Sequence, residues 1–441
     1  MTRSVPALRA EVRSVVHWGV AHGLPTLVLR RAARRGDLQA RLIRVGAEGT
    51  DEIHRIVEEI RADGPLYRSG IGHVATSHAA VRQVLSSDDF RSGIPTSTGT
   101  LGRISRWAAP DAVHPVEPPS LLVTEPPDHT RYRRLVTRVF TMRAVERLRE
   151  RTEEIAVGLL DDLEPRASSA VDLVESYCAL LPVTVIAEIL GVPEEERARV
   201  LEFGGAAAPS LDLGLGLRRY RSVTSALAGF DAWLSDHLEA LRREPGDNLL
   251  SQLVAVRDEG EGEGLSELEL KSTAGLVLAA GFETTVNLLG NGIALLHEHP
   301  DERARLGADP GLWPNAVEEV LRLDPPVLLT GRMAVRDTTV AGRPVRGGTM
   351  VTTILGGANR DPDVFPDPLR FDVGRENARD HVAFSVGRHH CLGASLARME
   401  GEVGLRAIWD RYPDLRLEPG ARRRATRILR GYDVLPAVLR P

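Results

Sequence analysis

Apolar residues recur at helical spacing through most of this chain, and the texture changes to β-branched runs only in its last third. From Ile53 to Ala62, and again around Ala79 to Leu85, positions three and four apart are apolar, which predicts helices separated by short strand-like runs. Helical patterns dominate from Thr130 to about Gly246, broken at Gly191-Val-Pro193, where a helix ends. The longest periodic stretch follows Ser266. That serine and Glu269 make a capping box, and apolar residues then recur to about Leu296. A helix from Glu267 to His297 would be roughly 45 Å long at 1.5 Å per residue. A transmembrane helix is the alternative for Thr273 to Leu295. Glu283, Asn287 and Asn291 inside it are costly in lipid and favour a buried central helix.

Beyond residue 326, Val335 to Val340 and Met350 to Ile354 predict strands of small sheets. Three stretches lack periodicity. Gly93 to Asp128 is rich in Pro, Gly, Ser and Thr and contains Trp107, as a functional loop or lid would be. Residues 204 to 217 hold Gly214-x-Gly216, but a third glycine and a preceding strand are missing, so a lid between helices fits better than a dinucleotide loop. Asp258 to Gly264 is an acidic, glycine-rich connector. The fold class is mainly α with a minor β region: one large helical unit over residues 46–441, preceded by a basic, helical extension, residues 1–45.

Composition narrows the function. The chain has 441 residues, 42% hydrophobic and 27% charged, with a net charge of -5 and pI ≈ 6.3, which argues against a nucleic-acid binder. Two cysteines, Cys178 and Cys391, give no disulfide framework and fit a reducing cytoplasm. Lys271 is the single lysine among 56 basic residues, a bias that carries no function. No run of eighteen or more uncharged apolar residues opens the chain, so no transmembrane anchor or signal peptide is expected. Within the extension, Leu24 to Leu29 precede Arg30, Arg31, Arg34 and Arg35. Such a segment either touches a membrane surface or lies as a solvated helix on its own domain.

The chemistry centres on Phe384 to Ala394, Phe-Ser-Val-Gly-Arg-His-His-Cys-Leu-Gly-Ala. Gly387 and Gly393 bracket Cys391 and let the backbone turn tightly and approach a bulky group. A helix follows from Ala394 through Val403, and free N–H groups at its start favour a thiolate. The alternatives are a buried, inert cysteine and a zinc site. His389, His390 and Cys391 are contiguous, however, and cannot readily wrap one tetrahedral ion.

The pattern Phe384-x-x-Gly387-x-His389-x-Cys391-x-Gly393 closely resembles the haem-binding signature of the cytochrome P-450 superfamily, in its soluble bacterial form. The resemblance implies that the Cys391 thiolate ligates iron of haem b and that His389 bonds a haem propionate. Ala280-Gly281-Phe282-Glu283-Thr284-Thr285 resembles the family's oxygen-activation motif. There Ala280 and Gly281 border the haem, while Glu283 and Thr284 are catalytic, relaying protons through water. Thr284 can also bond the carbonyl of Ala280 and bend the helix. Glu319-Val-Leu-Arg322 resembles the family's Glu-x-x-Arg motif, its buried cluster completed by a later basic residue, placed at Arg370. His129 and Arg133, four apart on one helical face, and Arg332 match positions that hold the haem carboxylates.

The resemblance spans roughly residues 50 to 440. It implies a haem-thiolate monooxygenase that inserts one oxygen atom into an apolar small molecule and takes electrons from a ferredoxin or similar partner. Residues 93–128 and 195–225 would set specificity. Arg131, Arg134, Arg138, Arg388 and Arg398 would offer a basic patch to that partner. A haem protein that binds ligand without turnover, or couples or isomerises its substrate, is the alternative. Glu283 and Thr284 argue against it, because they serve dioxygen cleavage.

Overall fold

The computed structural model describes residues 5–45, 50–93, 99–109, 112–137, 140–258 and 265–440. Its axis is the helix Glu267–Glu298, one residue longer than the sequence predicts. The predicted capping box forms: Ser266 Oγ accepts from Glu269 N at 3.3 Å, and Glu269 Oε2 accepts from Ser266 N at 2.7 Å. From Leu270 onward this helix is buried on nearly every side. It packs against Leu180–Leu190, Leu217–Arg243, Trp313–Leu323 and Ala394–Arg411, the helix that follows Cys391. The close approach to that last helix depends on glycine. A Cβ on Gly292 would lie 2.6 Å from Leu405 Cδ1. Among the described residues no helix is long and apolar enough to cross a membrane.

A five-stranded sheet stands beside the helices, in the order Tyr67–Ser69, Gly72–Ala75, Met350–Ile354, Leu329–Ala334, Phe90–Arg91. Only the pairing of Gly72–Ala75 with Met350–Ile354 is parallel, with His73 opposite Val351. Smaller sheets gather near the C-terminus, where Pro436–Val438 pairs with both Ala170–Asp172 and Arg416–Leu417.

Most predicted elements are present: Thr50–Asp63, His78–Ser86, Met350–Ile354, and a helix ending at Gly191 with φ 70°. Two predictions need adjustment. The run Val335–Val340 is not one strand, because Leu329–Ala334 and Thr338–Val340 belong to different sheets and Asp337 turns the chain by accepting from Gly347 N at 2.8 Å. The stretch Gly93–Asp128 is not irregular throughout, since Gly99–Ala108 is helical. Most of the acidic connector, residues 259–264, lies outside the described residues.

The extension is helical over Val5–Trp18, Gly19–Gly23 as a π-turn, Leu24–Arg34 and Leu38–Val45. It packs on its own chain. Arg13 donates to the carbonyls of Trp107 and Ala109, each at 3.0 Å. His17 Nδ1 lies 2.8 Å from Tyr220 Oη, and Trp18 Nε1 donates to Leu215 O at 2.8 Å. The extension therefore joins the two segments expected to face substrate.

Candidate haem-binding site

The loop before Cys391 is held by its own backbone. Cys391 N donates to Phe384 O at 2.9 Å and His390 N to Gly387 O at 3.1 Å. Gly387 has φ 74°, and a Cβ there would sit 2.7 Å from Leu85 O, so this turn requires glycine. Cys391 is solvent-exposed. Enclosure by the surrounding protein still pushes its thiol up from the ordinary value, opposed by the backbone N–H of Gly393 and by Arg133 and Arg398. Phe384 lies under the Arg398 guanidinium, 4.5 Å from ring centroid to Cζ. At Gly393, in contrast, a Cβ would meet nothing within 4 Å.

Cys178 is different. It is fully buried in the π-turn Val174–Cys178, and burial drives its thiol far up, as expected of an inert cysteine.

Two guanidiniums of this region, Arg133 and Arg332, have no carboxylate partner among the described residues. Arg133, on the helix Asp128–Thr137, is drawn below its ordinary pKa by burial, with Cys391 pulling the other way, and forms no ion pair among the described residues. Arg332 is buried in strand Leu329–Ala334 and, among the described residues, donates only to Thr330 Oγ1 and Gly331 O, at 3.3 and 2.9 Å. Burial lowers its pKa to about 10, against Glu125. His129 is buried too, its Nε2 without a hydrogen-bond partner, its ring centroid 4.6 Å from that of His389. Burial, then His389 and Arg133, lower it to about 4. Two unpaired guanidiniums, an orphaned imidazole nitrogen and the open space at Gly393 fit a bulky, apolar, dicarboxylate ligand beside the sulfur, as haem is.

His389 is placed differently. Its Nε2 lies 3.1 Å from Glu125 Oε1, and Arg388 donates to Glu125 Oε2 at 2.9 Å. Burial alone would raise the Glu125 carboxyl, but His389, the N–H of Ser92 and Arg388 hold it at about 2. Glu125 escapes sequence reasoning because its side-chain partners, Arg388 and His389, lie more than 260 residues away.

On the central helix, Thr284 Oγ1 donates to Ala280 O at 3.0 Å, as the spacing predicts. Ala280 is exposed and Thr284 half-buried, one turn apart. Gly281 turns toward Ile186, whose Cγ1 would lie 2.9 Å from an added Cβ, so its missing side chain serves helix packing. Glu283 is buried and paired through Oε1 with Arg424, which also donates to Tyr432 O at 3.1 Å. One turn past Gly281, Thr285 shares its hydroxyl with Glu400 Oε2 at 3.4 Å. Glu400 is fully buried, its Oε1 unpartnered, and burial raises its pKa well above 4.5.

Beneath the cysteine loop, Glu319 and Arg322 are fully buried, 2.6 Å apart. The third basic member is Arg375, 3.1 Å from Glu319, and not Arg370. The Arg370 side chain is 61% exposed, and what it contributes is its carbonyl, which accepts from Arg322 at 3.0 Å and Arg375 at 2.9 Å.

The expected basic patch is largely committed within the protein. Arg131 pairs with Glu269 at 2.7 Å, Arg398 with Glu318 at 2.9 Å, and Arg388 with Glu125 and Asp88. Arg138 lies outside the described residues.

Comparison with known proteins agrees with this geometry. The sequence profile of the family described as Cytochrome P450 matches residues 312–419. A Mycobacterium tuberculosis protein provisionally named cytochrome P450 140 is 50% identical over 436 residues, covering 98% of each chain. The vitamin D(3) 25-hydroxylase of Pseudonocardia autotrophica is 39% identical, over 86% of this chain and 89% of that one. Among solved structures, ligand-free CYP164A2 of Mycobacterium smegmatis superposes with a TM-score of 0.81 at 33% identity, over 91% of this chain and 99% of that one. A relative half identical over 98% of each chain, together with a solved fold that superposes on this one, establishes that this chain belongs to the cytochrome P450 family.

Proposed function

We propose that the protein is a haem-thiolate monooxygenase that inserts one oxygen atom from dioxygen into an apolar small molecule, working in the cytoplasm with electrons from a separate ferredoxin. The observation that carries this reading is the setting of Cys391, exposed and glycine-bracketed at a helix start, in a region where Arg133 and Arg332 have no ion pair and His129 Nε2 no hydrogen-bond partner among the described residues. Cys391 would hold haem b, with Arg133, Arg332 and His129 available to its carboxylates, and the bound group would supply the oxygen-activating chemistry that thiolate ligation promotes. His389 acts through Glu125, fixing the loop that presents the sulfur.

The protein's own part in turnover is proton handling and exclusion of water. Thr284 Oγ1, half-buried, can give up its bond to Ala280 O and hold a water or a proton there. Glu283, paired with Arg424, places a carboxyl group one residue away. The Pseudonocardia relative is named for hydroxylating vitamin D(3), an apolar molecule, which supports the substrate class.

The test is spectroscopic. Wild-type and Cys178→Ser proteins should show the red-shifted carbon-monoxide band of thiolate ligation after reduction, and Cys391→His should lose it. A Cys391→His protein that kept the band would refute the assignment. With a redox chain supplied, reduced pyridine nucleotide should be consumed faster when an apolar substrate, found by Soret shift, is present.

A further inference from the structure

Fourteen large apolar side chains are exposed among the described residues, and five of them fall between Val12 and Val28. Their spacing puts them on shared faces: Val12 with Val15 on the first helix, and Leu24, Leu27 and Val28 on the next, exposed by 51, 63 and 46%. The neighbouring segments extend this surface. Arg13 holds the first helix against Gly99–Ala108, which exposes Ile104 and Trp107. The bond from Trp18 to Leu215 brings up exposed Leu213. Isolated exposed leucines need no explanation, but a cluster of this kind on the surface of a folded chain marks an interaction site.

The charge beside it has one sign. Arg30, Arg31, Arg34 and Arg35 are all exposed, and none makes an ion pair among the described residues. Within residues 5–36 the single acidic side chain is Glu11, engaged by Arg221 at 3.3 Å. This concentration of positive charge stands out in a chain whose net charge is -5.

We infer that the extension, together with the two segments it joins, is a docking surface for an anionic lipid bilayer. The leucines and Trp107 would enter the interfacial layer, and the arginines would meet lipid phosphates, the mode of a basic amphipathic helix lying in the membrane plane. Charge complementarity selects this occupant. A soluble acidic protein would satisfy the arginines but has no requirement for a contiguous leucine face, whereas a bilayer surface matches both. The docked face includes the segments expected to admit substrate, so apolar molecules dissolved in the lipid would meet the entrance directly. The inference rests on surface geometry and charge, and is independent of the catalytic reading.

Full-length protein should sediment with phosphatidylcholine vesicles containing about one third phosphatidylglycerol, and the bound fraction should fall as salt rises. Pure phosphatidylcholine vesicles should retain little. The pair Leu24→Glu and Leu27→Glu should cut partitioning at least about tenfold. Replacing the four arginines by glutamine should remove the preference for anionic lipid, at about fivefold per arginine. Met142→Glu is the control: its side chain is 77% exposed but lies by Ser395 at the cysteine helix, and it should bind as wild type does. Thermal unfolding confirms that each variant is folded. Absence of vesicle binding at low salt, or binding untouched by the paired glutamates, would overturn the inference. So would concentration-dependent dimerisation that the glutamates abolish in a protein that ignores vesicles, since the occupant would then be a second copy.

Discussion

The frame beneath the cysteine loop and the assembly of extension and lid are held by opposite means. In the frame, charges are buried and fully committed. Arg322 donates to Glu319 and to the carbonyls of Asn359, Pro368 and Arg370 at 2.6–3.0 Å, and Arg375 adds bonds to Glu319, to the same Arg370 carbonyl and to those of Pro366 and Asp367. In the lid, the charged links, Arg13 to the carbonyls of Trp107 and Ala109 and Arg221 to Glu11, are not fully buried, and the rest are single neutral bonds: His17 to Tyr220, Trp18 to Leu215, and the N–H of Leu215 to His22 Nδ1 at 3.3 Å. A buried ionic network cannot open one bond at a time, because each lost partner strands a charge. Neutral bonds of about 1 kcal/mol each can be released one by one. The difference suits the proposed roles, a fixed seat for the cofactor on one side and a movable entrance for substrate on the other.

The largest effect should come from breaking the frame. Arg322→Ala leaves Glu319 buried without its main partner and should cost about 3–5 kcal/mol, enough to prevent stable folding. Trp18→Phe removes one neutral bond and should cost about 1 kcal/mol. Denaturant unfolding followed by far-UV circular dichroism measures both. If the two variants lost similar stability, the contrast between the regions would fail.

The next effect sits where the regions meet, on the central helix. Thr284→Ala should still fold and bind haem, because the hydroxyl bonds only the Ala280 carbonyl. Product formation should drop about a hundredfold while nucleotide consumption continues and hydrogen peroxide is released. Glu283→Gln removes the ionisable carrier and should slow turnover comparably. Product, peroxide and nucleotide measured together decide the matter. Unchanged product yield in both variants would move the proton path elsewhere.

A smaller effect separates Glu400 from the other carboxylates of the frame. Its folded pKa is raised, so the folded state keeps a proton that the unfolded chain releases above about 4.5. That contribution to stability is full below this pH and declines as pH rises, by about 1.4 kcal/mol per unit. Glu400→Gln keeps the shape and the contact with Thr285 but cannot lose a proton. Between pH 5 and 7 its stability, relative to wild type, should therefore rise. Parallel pH profiles would mean that Glu400 is ionised in the folded protein.

Legibility in the sequence follows the same division. The cysteine loop, the capping box at Ser266 and the Thr284 back-bond were readable because each is a local backbone requirement met by residues within a few positions. Arg375 was mistaken for Arg370 because both arginines lie in the same loop, and only the fold shows which one turns inward. Glu125 and Arg424 were invisible for a different reason. Their partners lie 264 and 141 residues away, and no periodicity encodes a contact across that distance. The helix Gly99–Ala108 was hidden by the Pro- and Ser-rich composition around it, although Ile104 and Trp107 stand three apart.

The smallest expected effect tests the lid alone. His17, His22 and His114 lie close enough to feel one another's charge, at the junction of the extension with the segments expected to face substrate. Burial lowers all three, His22 and His114 to about 4, with the charge of His17 depressing both and Arg427 further depressing His22. Glu117 lines the same small cavity as His114, and burial raises its pKa, which limits the compensation it can offer. A histidine depressed in the folded state stabilises that state above the unfolded value near 6.5 and loses the contribution as pH falls toward 4. Acidification from pH 7 to 5 should therefore loosen the lid before the frame. Amide exchange at 99–109 and 213–221, corrected for the intrinsic pH dependence, should accelerate, while exchange in Trp313–Leu323 holds steady. His22→Gln and His114→Gln should flatten the lid's response. If frame and lid loosened together, these histidines would not be separate fastenings, and the neutral bonds of the entrance would belong to the same cooperative unit as the charges under Cys391.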